Sequence, residues 1–307
     1  MIDYAMIEPT TVCNLNCATC YRKDSIRKKE LNIGTITKEN IALIHKKLPN
    51  LKHIRFHGMG ELFILKNHVE IVTLLRNLYP NAWIELVTNG NYNDTDEEII
   101  SKSINKLTFS IDSSDKEEYE KIRIGSSYEL MINNLKKFIK IPNFQLEINY
   151  VWSSLNTYSL ETFISDMGEL GVKIIRVNIV QDWGNHLTDK EKLSDNFMVL
   201  KNIWNKAKKM SEKYNILLTL MGNDHFETNE CEWMNRRIFI TFDGNILPCC
   251  MRQYRNESLG NIYEKEVNDI WISEEIKRGR DNQMNHSGFC DKCPYIANKG
   301  IIKKLIN

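Results

Sequence analysis

No stretch of this sequence reaches the roughly 18 apolar residues of a membrane-spanning helix. The N-terminus, MIDYAMIEPTTVC, has no basic start followed by an apolar run. Neither a spanning helix nor a secretory signal is expected, and the chain reads as cytoplasmic. An excess of one charge is also missing: Lys and Arg number 41 against 40 Asp and Glu. The balance gives no reason to expect a polyanion as the main partner, and no basic patch interleaved with aromatics points to nucleic acid. What is present is an ordinary globular composition. At 307 residues and 42% hydrophobic, the chain can bury a full core, with one large domain and a small one the natural expectation.

The eight cysteines are unevenly placed. Cys13, Cys17 and Cys20 share one octapeptide, and Cys231, Cys249, Cys250, Cys290 and Cys293 form a second group about two hundred residues later. Without a secretory signal, a disulfide framework is a poor reading, and two separate metal sites fit better. Thiolates suit iron-sulfur clusters, zinc and copper(I), so ligand type does not choose the metal. Ligand number helps: structural zinc wants four closed ligands, whereas the first group offers three. Three ligands on a four-iron cluster leave one iron open to a small molecule.

From residue 4 to 180 strand-like and helix-like runs alternate. YAMIEP, KHIRFH (52–57), WIELVT (83–88), KLTFSI (106–111), FQLEINYV (144–151) and KIIRVNIV (173–180) read as strands. Helical faces recur between them, as in Ile71, Leu74, Leu75 and Leu78, or Met131, Leu135, Phe138 and Ile139. Six β-α units predict an α/β fold with a parallel sheet, either doubly wound or a partial barrel. The cysteines, GMGE (58–61), Asn89 and Asp112 then follow successive strands, where such folds place ligands. Residues 197–215 read as an amphipathic connector with a solvated lysine face, and a domain boundary is expected near 215. Beyond it RIFITFDGNILPCC reads as a hairpin turning at Asp243-Gly244, followed by a helix from about Val267 to Arg280.

The cysteine triplet after a first strand, with GMGE after the second, resembles the radical S-adenosylmethionine (SAM) superfamily over about residues 4–183. The resemblance implies a partial (β/α)6 TIM-like barrel with a [4Fe-4S] cluster on Cys13, Cys17 and Cys20. S-adenosylmethionine would chelate the open iron, and one electron would cleave it to a 5′-deoxyadenosyl radical. Gly58 and Gly60 would leave room for the methionine moiety, and Glu61 would pair with its ammonium. Asn89 and Ser110 or Asp112 would contact the ribose. Where many members have an aromatic residue before the third cysteine, this chain has Thr19, with Tyr21 after it.

Cys231, the Gly244 and Cys249 spacing, LGNI (259–262), Ile270-Trp271 and CDKC (290–293) resemble the auxiliary-cluster domain of the SPASM and twitch branches. Residues 216–307 are expected to form this domain, with one auxiliary [4Fe-4S] cluster on Cys231, Cys249, Cys290 and Cys293. A zinc ribbon is the plainer alternative, and His286 is expected at the surface.

Cys250 is left over. It is a candidate hydrogen-atom donor to a substrate radical, or a packing residue, or a ligand in place of Cys249. The short architecture is similar to 2-deoxy-scyllo-inosamine dehydrogenase and to radical SAM epimerases. Oxidation and epimerisation are therefore both expected outcomes, on a small polar substrate such as a sugar, aminocyclitol or nucleotide conjugate. Asn149, Arg176 and Asn178 are the candidate substrate contacts, with Tyr150, Trp152 and Trp183 as possible walls. The first strand begins almost at Met1, which lowers the expectation of a leader-peptide recognition domain, although a ribosomal peptide stays open as substrate. A one-electron reductant such as flavodoxin or ferredoxin would be a partner. The contrasting class is an iron-sulfur electron-transfer or binding module without radical chemistry.

Overall fold

The computed structural model describes residues 2–27, 29–182, 187–188, 190–193, 196–220, 231–233, 235–250, 257–285, 287–290, 293, 302 and 305. Trp183 and His286 lie outside the described residues. Alternating apolar residues form the strands β1 (Tyr4–Ile7), β2 (His53–Phe56), β3 (Trp83–Thr88), β4 (Lys106–Ser110), β5 (Gln145–Trp152) and β6 (Ile174–Ile179). These coincide with the six expected runs to within two residues at each end. Three more strands follow: β7 (Leu217–Leu220), β8 (Arg237–Ile240) and β9 (Ile246–Leu247).

All nine belong to one open sheet, in the order β7-β6-β5-β4-β3-β2-β1-β8-β9. Every neighbouring pair is parallel except β8 with β9. From β1 to β7 the strand order follows the chain without reversal. A doubly wound sheet reverses at a switch point, whereas consecutive right-handed crossovers put every helix on one face. The architecture is that of a partial TIM-like barrel.

Burial shows which face is which. Ile54, Phe56, Ile84, Leu86, Leu107, Phe109, Ile148, Tyr150, Ile175 and Val177 are fully buried beneath the helices. Their strand neighbours Arg55, Ser110, Asn149, Arg176 and Asn178 are half-buried on the opposite, inner face. The covering helices are α2 (Lys38–Lys47), α3 (His68–Leu78), α4 (Glu97–Ser103), α5 (Lys116–Ile122), α6 (Tyr128–Ile139), α7 (Leu160–Glu169) and α8 (Phe197–Lys213), after a short α1 (Arg22–Arg27). Four of them begin at a side-chain cap: Thr37, Asp96, Asp115 and Ser127 accept hydrogen bonds from the backbone N–H three residues on, at the starts of α2, α4, α5 and α6. On α8, Leu200, Ile203, Trp204 and Ala207 are buried and Lys206 and Lys209 exposed, as an amphipathic connector requires.

The hairpin turns at Asp243-Gly244 as expected, with Gly244 at φ 85°. Its first strand is also a member of the barrel sheet, since Tyr4–Ile7 pairs with Arg237–Ile240. The strand after residue 215 likewise joins that sheet, through β6, so hydrogen bonding runs across the expected boundary on both sides. The single C-terminal helix expected from Val267 is two, α9 (Val267–Trp271) and α10 (Glu274–Asn285). Among the described residues no helix is long and apolar enough to cross a membrane.

Candidate active site at the mouth of the barrel

The cysteine loop leaves β1 and is held on three sides. Thr10 donates its hydroxyl to the Gly34 carbonyl at 2.9 Å. The backbone N–H groups of Gly60 and Glu61 donate to the Thr10 and Val12 carbonyls at 3.0 and 2.8 Å. Asn16 and Ala18 donate to the carbonyls of Ile124 and Ile122 after and within α5, both at 2.8 Å. The loop carrying GMGE is thus zipped to the residues just before Cys13.

Cys13, Cys17, Cys20, Gly58, Gly60 and Glu61 line one cavity of about 380 Å³, together with Asn89, Ser110, Asn149, Arg176 and Asn178. Of the described cluster, cofactor and substrate candidates in the barrel, only Asp112 is elsewhere. Its carboxylate is buried, bound to the Arg123 guanidinium at 2.8 Å and accepting from the Val151 N–H at 2.9 Å. The expected ribose contact is therefore a positioning residue for Arg123, which does line the cavity. Thr19 and Tyr21 both line it too, but Tyr21 gives its hydroxyl to Glu30 at 2.6 Å. Tyr150 and Trp152, possible walls from sequence, are fully buried on the helix side and donate to the Asn156 and Thr157 carbonyls.

Two further expectations are revised by the contacts. A Cβ at Gly58 would meet Glu8 Cγ at 2.2 Å, and one at Gly60 would meet the Val12 and Thr10 carbonyl oxygens at 2.4 and 2.5 Å. The glycines are required by the neighbouring loop, whatever occupies the cavity. Glu61 is also committed within the chain. Its Oε1 accepts from Phe63 N–H at 3.1 Å and Thr88 hydroxyl at 3.0 Å, and its Oε2 from Asn89 N–H at 2.6 Å. It clamps the loops after β2 and β3. Burial pushes its carboxyl up to about 7, against those three hydrogen bonds.

The donor set fits an iron-sulfur cluster. A four-iron cluster gives each thiolate its own iron, so thiols spread round one cavity suit it. Burial raises the Cys13 and Cys17 thiols, Cys17 to about 12, and Arg22 and Arg123 respectively oppose the rise. Cys13 Sγ accepts from the Asn89 carboxamide at 3.9 Å and from the Leu15 N–H at 3.5 Å, contacts of the kind that tune cluster potential.

Sequence reading missed Arg55, His57 and Arg123 as cavity residues. For the first two a signal existed: in KHIRFH the polar residues His53, Arg55 and His57 alternate with Ile54 and Phe56. Burial first, and the Arg55 charge second, lower the His57 imidazole to about 3. The folded chain therefore resists a proton that the unfolded chain takes near pH 6.5. Stability contributed by the neutral ring is present above pH 6.5 and is lost as pH falls toward 3. Between about pH 7 and about pH 5 this amounts to about 2 kcal/mol. Urea unfolding of H57N is expected to show a correspondingly shallower acid-side loss than the parent; equal slopes would mean that the ring is not held neutral.

In the C-terminal part, Cys231 is exposed and Cys249, Cys250, Cys290 and Cys293 are half-buried. Cys250, with Tyr4 and Trp233, packs against Met6, Phe239 and Leu247. Burial pushes its thiol up to about 11; Arg55 opposes this, while Cys231 and Cys293 add to it. Cys250 is thus in electrostatic reach both of the cavity and of two expected auxiliary ligands.

A consecutive parallel half-barrel with a three-cysteine loop at its mouth defines a cluster-binding TIM-like fold. The chain matches the family model of the radical SAM superfamily over residues 7–151 and that of the SPASM iron-sulfur cluster-binding domain over residues 231–294. It belongs to the radical SAM superfamily and carries a SPASM domain. Its relatives include a probable GTP 3′,8-cyclase of Methanocaldococcus jannaschii, 26% identical over 80% of this chain and 84% of the relative. The GTP 3′,8-cyclase of Alkaliphilus oremlandii is 24% identical over 89% of each chain. Among solved structures, anSMEcpe with bound AdoMet aligns over 90% of this chain and 82% of its own, with TM-score 0.71 and 18% identity. Streptococcus suis SuiB bound to S-adenosylmethionine aligns over 91% and 68%, with TM-score 0.71 and 16% identity. The cofactors are [4Fe-4S] clusters and S-adenosylmethionine.

Proposed function

We propose that this radical SAM enzyme takes a hydrogen atom from a small polar substrate held in the barrel lumen, leading to oxidation or epimerisation. The observation that carries this reading is the convergence of the three cysteines with Ser110, Asn149, Arg176 and Asn178 on one cavity. When bound, the cluster and S-adenosylmethionine supply the 5′-deoxyadenosyl radical that abstracts the hydrogen. The chain supplies position and exclusion of water. Asn149 and Asn178 are hydrogen-bonded to each other across β5 and β6, which fixes their carboxamides toward a polar ligand. Cys13, Cys17 and Cys20 hold the first cluster, and Cys231, Cys249, Cys290 and Cys293 the auxiliary one. For oxidation, a cluster held by those four cysteines would supply the acceptor for the electron that the substrate gives up along with a proton. In epimerisation the substrate radical takes a hydrogen atom from the Cys250 thiol, and a flavodoxin- or ferredoxin-type reductant restores the system.

The experiment is anaerobic incubation with S-adenosylmethionine and dithionite in D2O. Release of 5′-deoxyadenosine without substrate is expected, and its absence would leave an electron-transfer module. With a substrate, one solvent deuterium in the product marks epimerisation, and none marks oxidation. The GTP 3′,8-cyclases among the relatives favour a second reading, a purine nucleotide substrate. GTP in the same assay tests it, by a cyclised product or none.

A further inference from the structure

Beneath the cavity the barrel interior holds a chain of charges. Lys106 Nζ lies 2.6 Å from Glu85 Oε2 and 3.6 Å from Glu147 Oε2, linking the two carboxylates. Arg55 flanks one end, its Nε 3.7 Å from Glu85, and Arg176 the other, its Nε 3.6 Å from Glu147. Neither distance is a hydrogen bond, and both Nε atoms are buried without a hydrogen-bond partner among the described residues. Both arginines line the cavity. Lys106 and the two arginines thus share two carboxylates, with His53 Nε2 also 3.3 Å from Glu85, and of the three only Lys106 comes within hydrogen-bond distance of a carboxylate, that of Glu85. Arg123 also lines the cavity; it differs in holding Asp112 through Nη2 at 2.8 Å, although its Nε is likewise without a hydrogen-bond partner among the described residues.

Guanidinium groups left without hydrogen-bond partners inside a sheet-walled cavity are costly unless an anion meets them. Guanidinium donors are planar forks suited to carboxylate and phosphate. Beside them, Asn178 Oδ1 is buried and has no hydrogen-bond partner among the described residues, an acceptor ready for a ligand hydroxyl. Arg55 and Arg176 sit within β2 and β6, below the loops that carry the cysteines and GMGE. We propose that Arg55 and Arg176 form an anion site on the floor of the cavity, and that the substrate carries a carboxylate or a phosphate received there. This rests on reading the lumen as the substrate site.

The test uses anaerobically reconstituted holoprotein and equilibrium dialysis of ribose 5-phosphate, glucuronate, ribose and glucose, at low and high salt. The parent is expected to bind at least one acid about tenfold more tightly than its neutral counterpart, with the preference shrinking at high salt. R55Q and R176Q each remove most of that preference, and R176K keeps part of it. Iron content shows that each variant is intact. Stronger binding of ribose 5-phosphate names a phosphate and stronger binding of glucuronate a carboxylate. Equal binding of acids and neutral sugars, no binding of either acid, or a preference that survives both glutamine variants overturns the proposal. So does a loss of S-adenosylmethionine affinity in place of the preference, which would assign the arginines to the cofactor. Cleavage of S-adenosylmethionine by the parent is scored in the same preparation. If it fails while the anion preference holds, the radical reading falls and the anion site stands.

Discussion

Replacing Cys13, Cys17 and Cys20 together by alanine is expected to lower the iron of the reconstituted protein from about eight to about four per chain and to abolish 5′-deoxyadenosine formation. The loss is total because these three thiols line the cavity, and no other cysteine of the chain does so among the described residues. Iron and sulfide analysis with the deoxyadenosine assay checks it. A fall from about four irons to none would mean that the C-terminal cysteines hold zinc or nothing. The electron-accepting role given to them would then be wrong, whatever the barrel does.

The second large effect is at Gly60. An added methyl group meets two backbone oxygens, those of Val12 and Thr10, and neither can swing aside as a side chain would. To make room, the hydrogen bonds from Gly60 and Glu61 to those same carbonyls must lengthen. G60A is expected to cost about 2–4 kcal/mol in urea unfolding. It should also slow deoxyadenosine formation by about a hundredfold, since the cysteine loop moves with its partner. G58A is the internal comparison: the nearest atoms its methyl group meets are Cγ, Cβ and Oε1 of the buried Glu8 side chain rather than backbone oxygens, so a smaller loss is expected. A G60A protein as stable as the parent would show that the two loops are not locked together.

The six barrel strands were legible because period-two alternation and helical faces are local signals. KIIRVNIV also announced its inner face, with Arg176 and Asn178 opposite Ile175, Val177 and Ile179. The pairing of β8 with β1 was not legible, since nothing near RIFI specifies a partner more than two hundred residues away. Most of the barrel residues singled out from sequence line one cavity, but their contacts within the chain were not legible. Gly58, Gly60 and Glu61 were assigned to a ligand, whereas their immediate partners are Glu8, Thr10, Val12, Thr88 and Asn89. Sequence spacing cannot show which neighbouring loop comes within van der Waals distance. The lumen charges carried a usable sign, because a charged residue inside an apolar strand, as in Glu85, Glu147 or Arg55, has to be answered by another.

The placement of β1 also bears on biosynthesis. Tyr4–Ile7 is the first of the nine described strands in chain order, yet its second neighbour, Arg237–Ile240, is translated after six further strands. Until then one side of β1 presents bare amides and carbonyls, the kind of edge that recruits other chains. The thiol-bearing loop hangs from that same unfinished strand. Polypeptides truncated ahead of residue 237 would keep the open edge permanently, and aggregation rather than a smaller working barrel is the outcome this topology dictates.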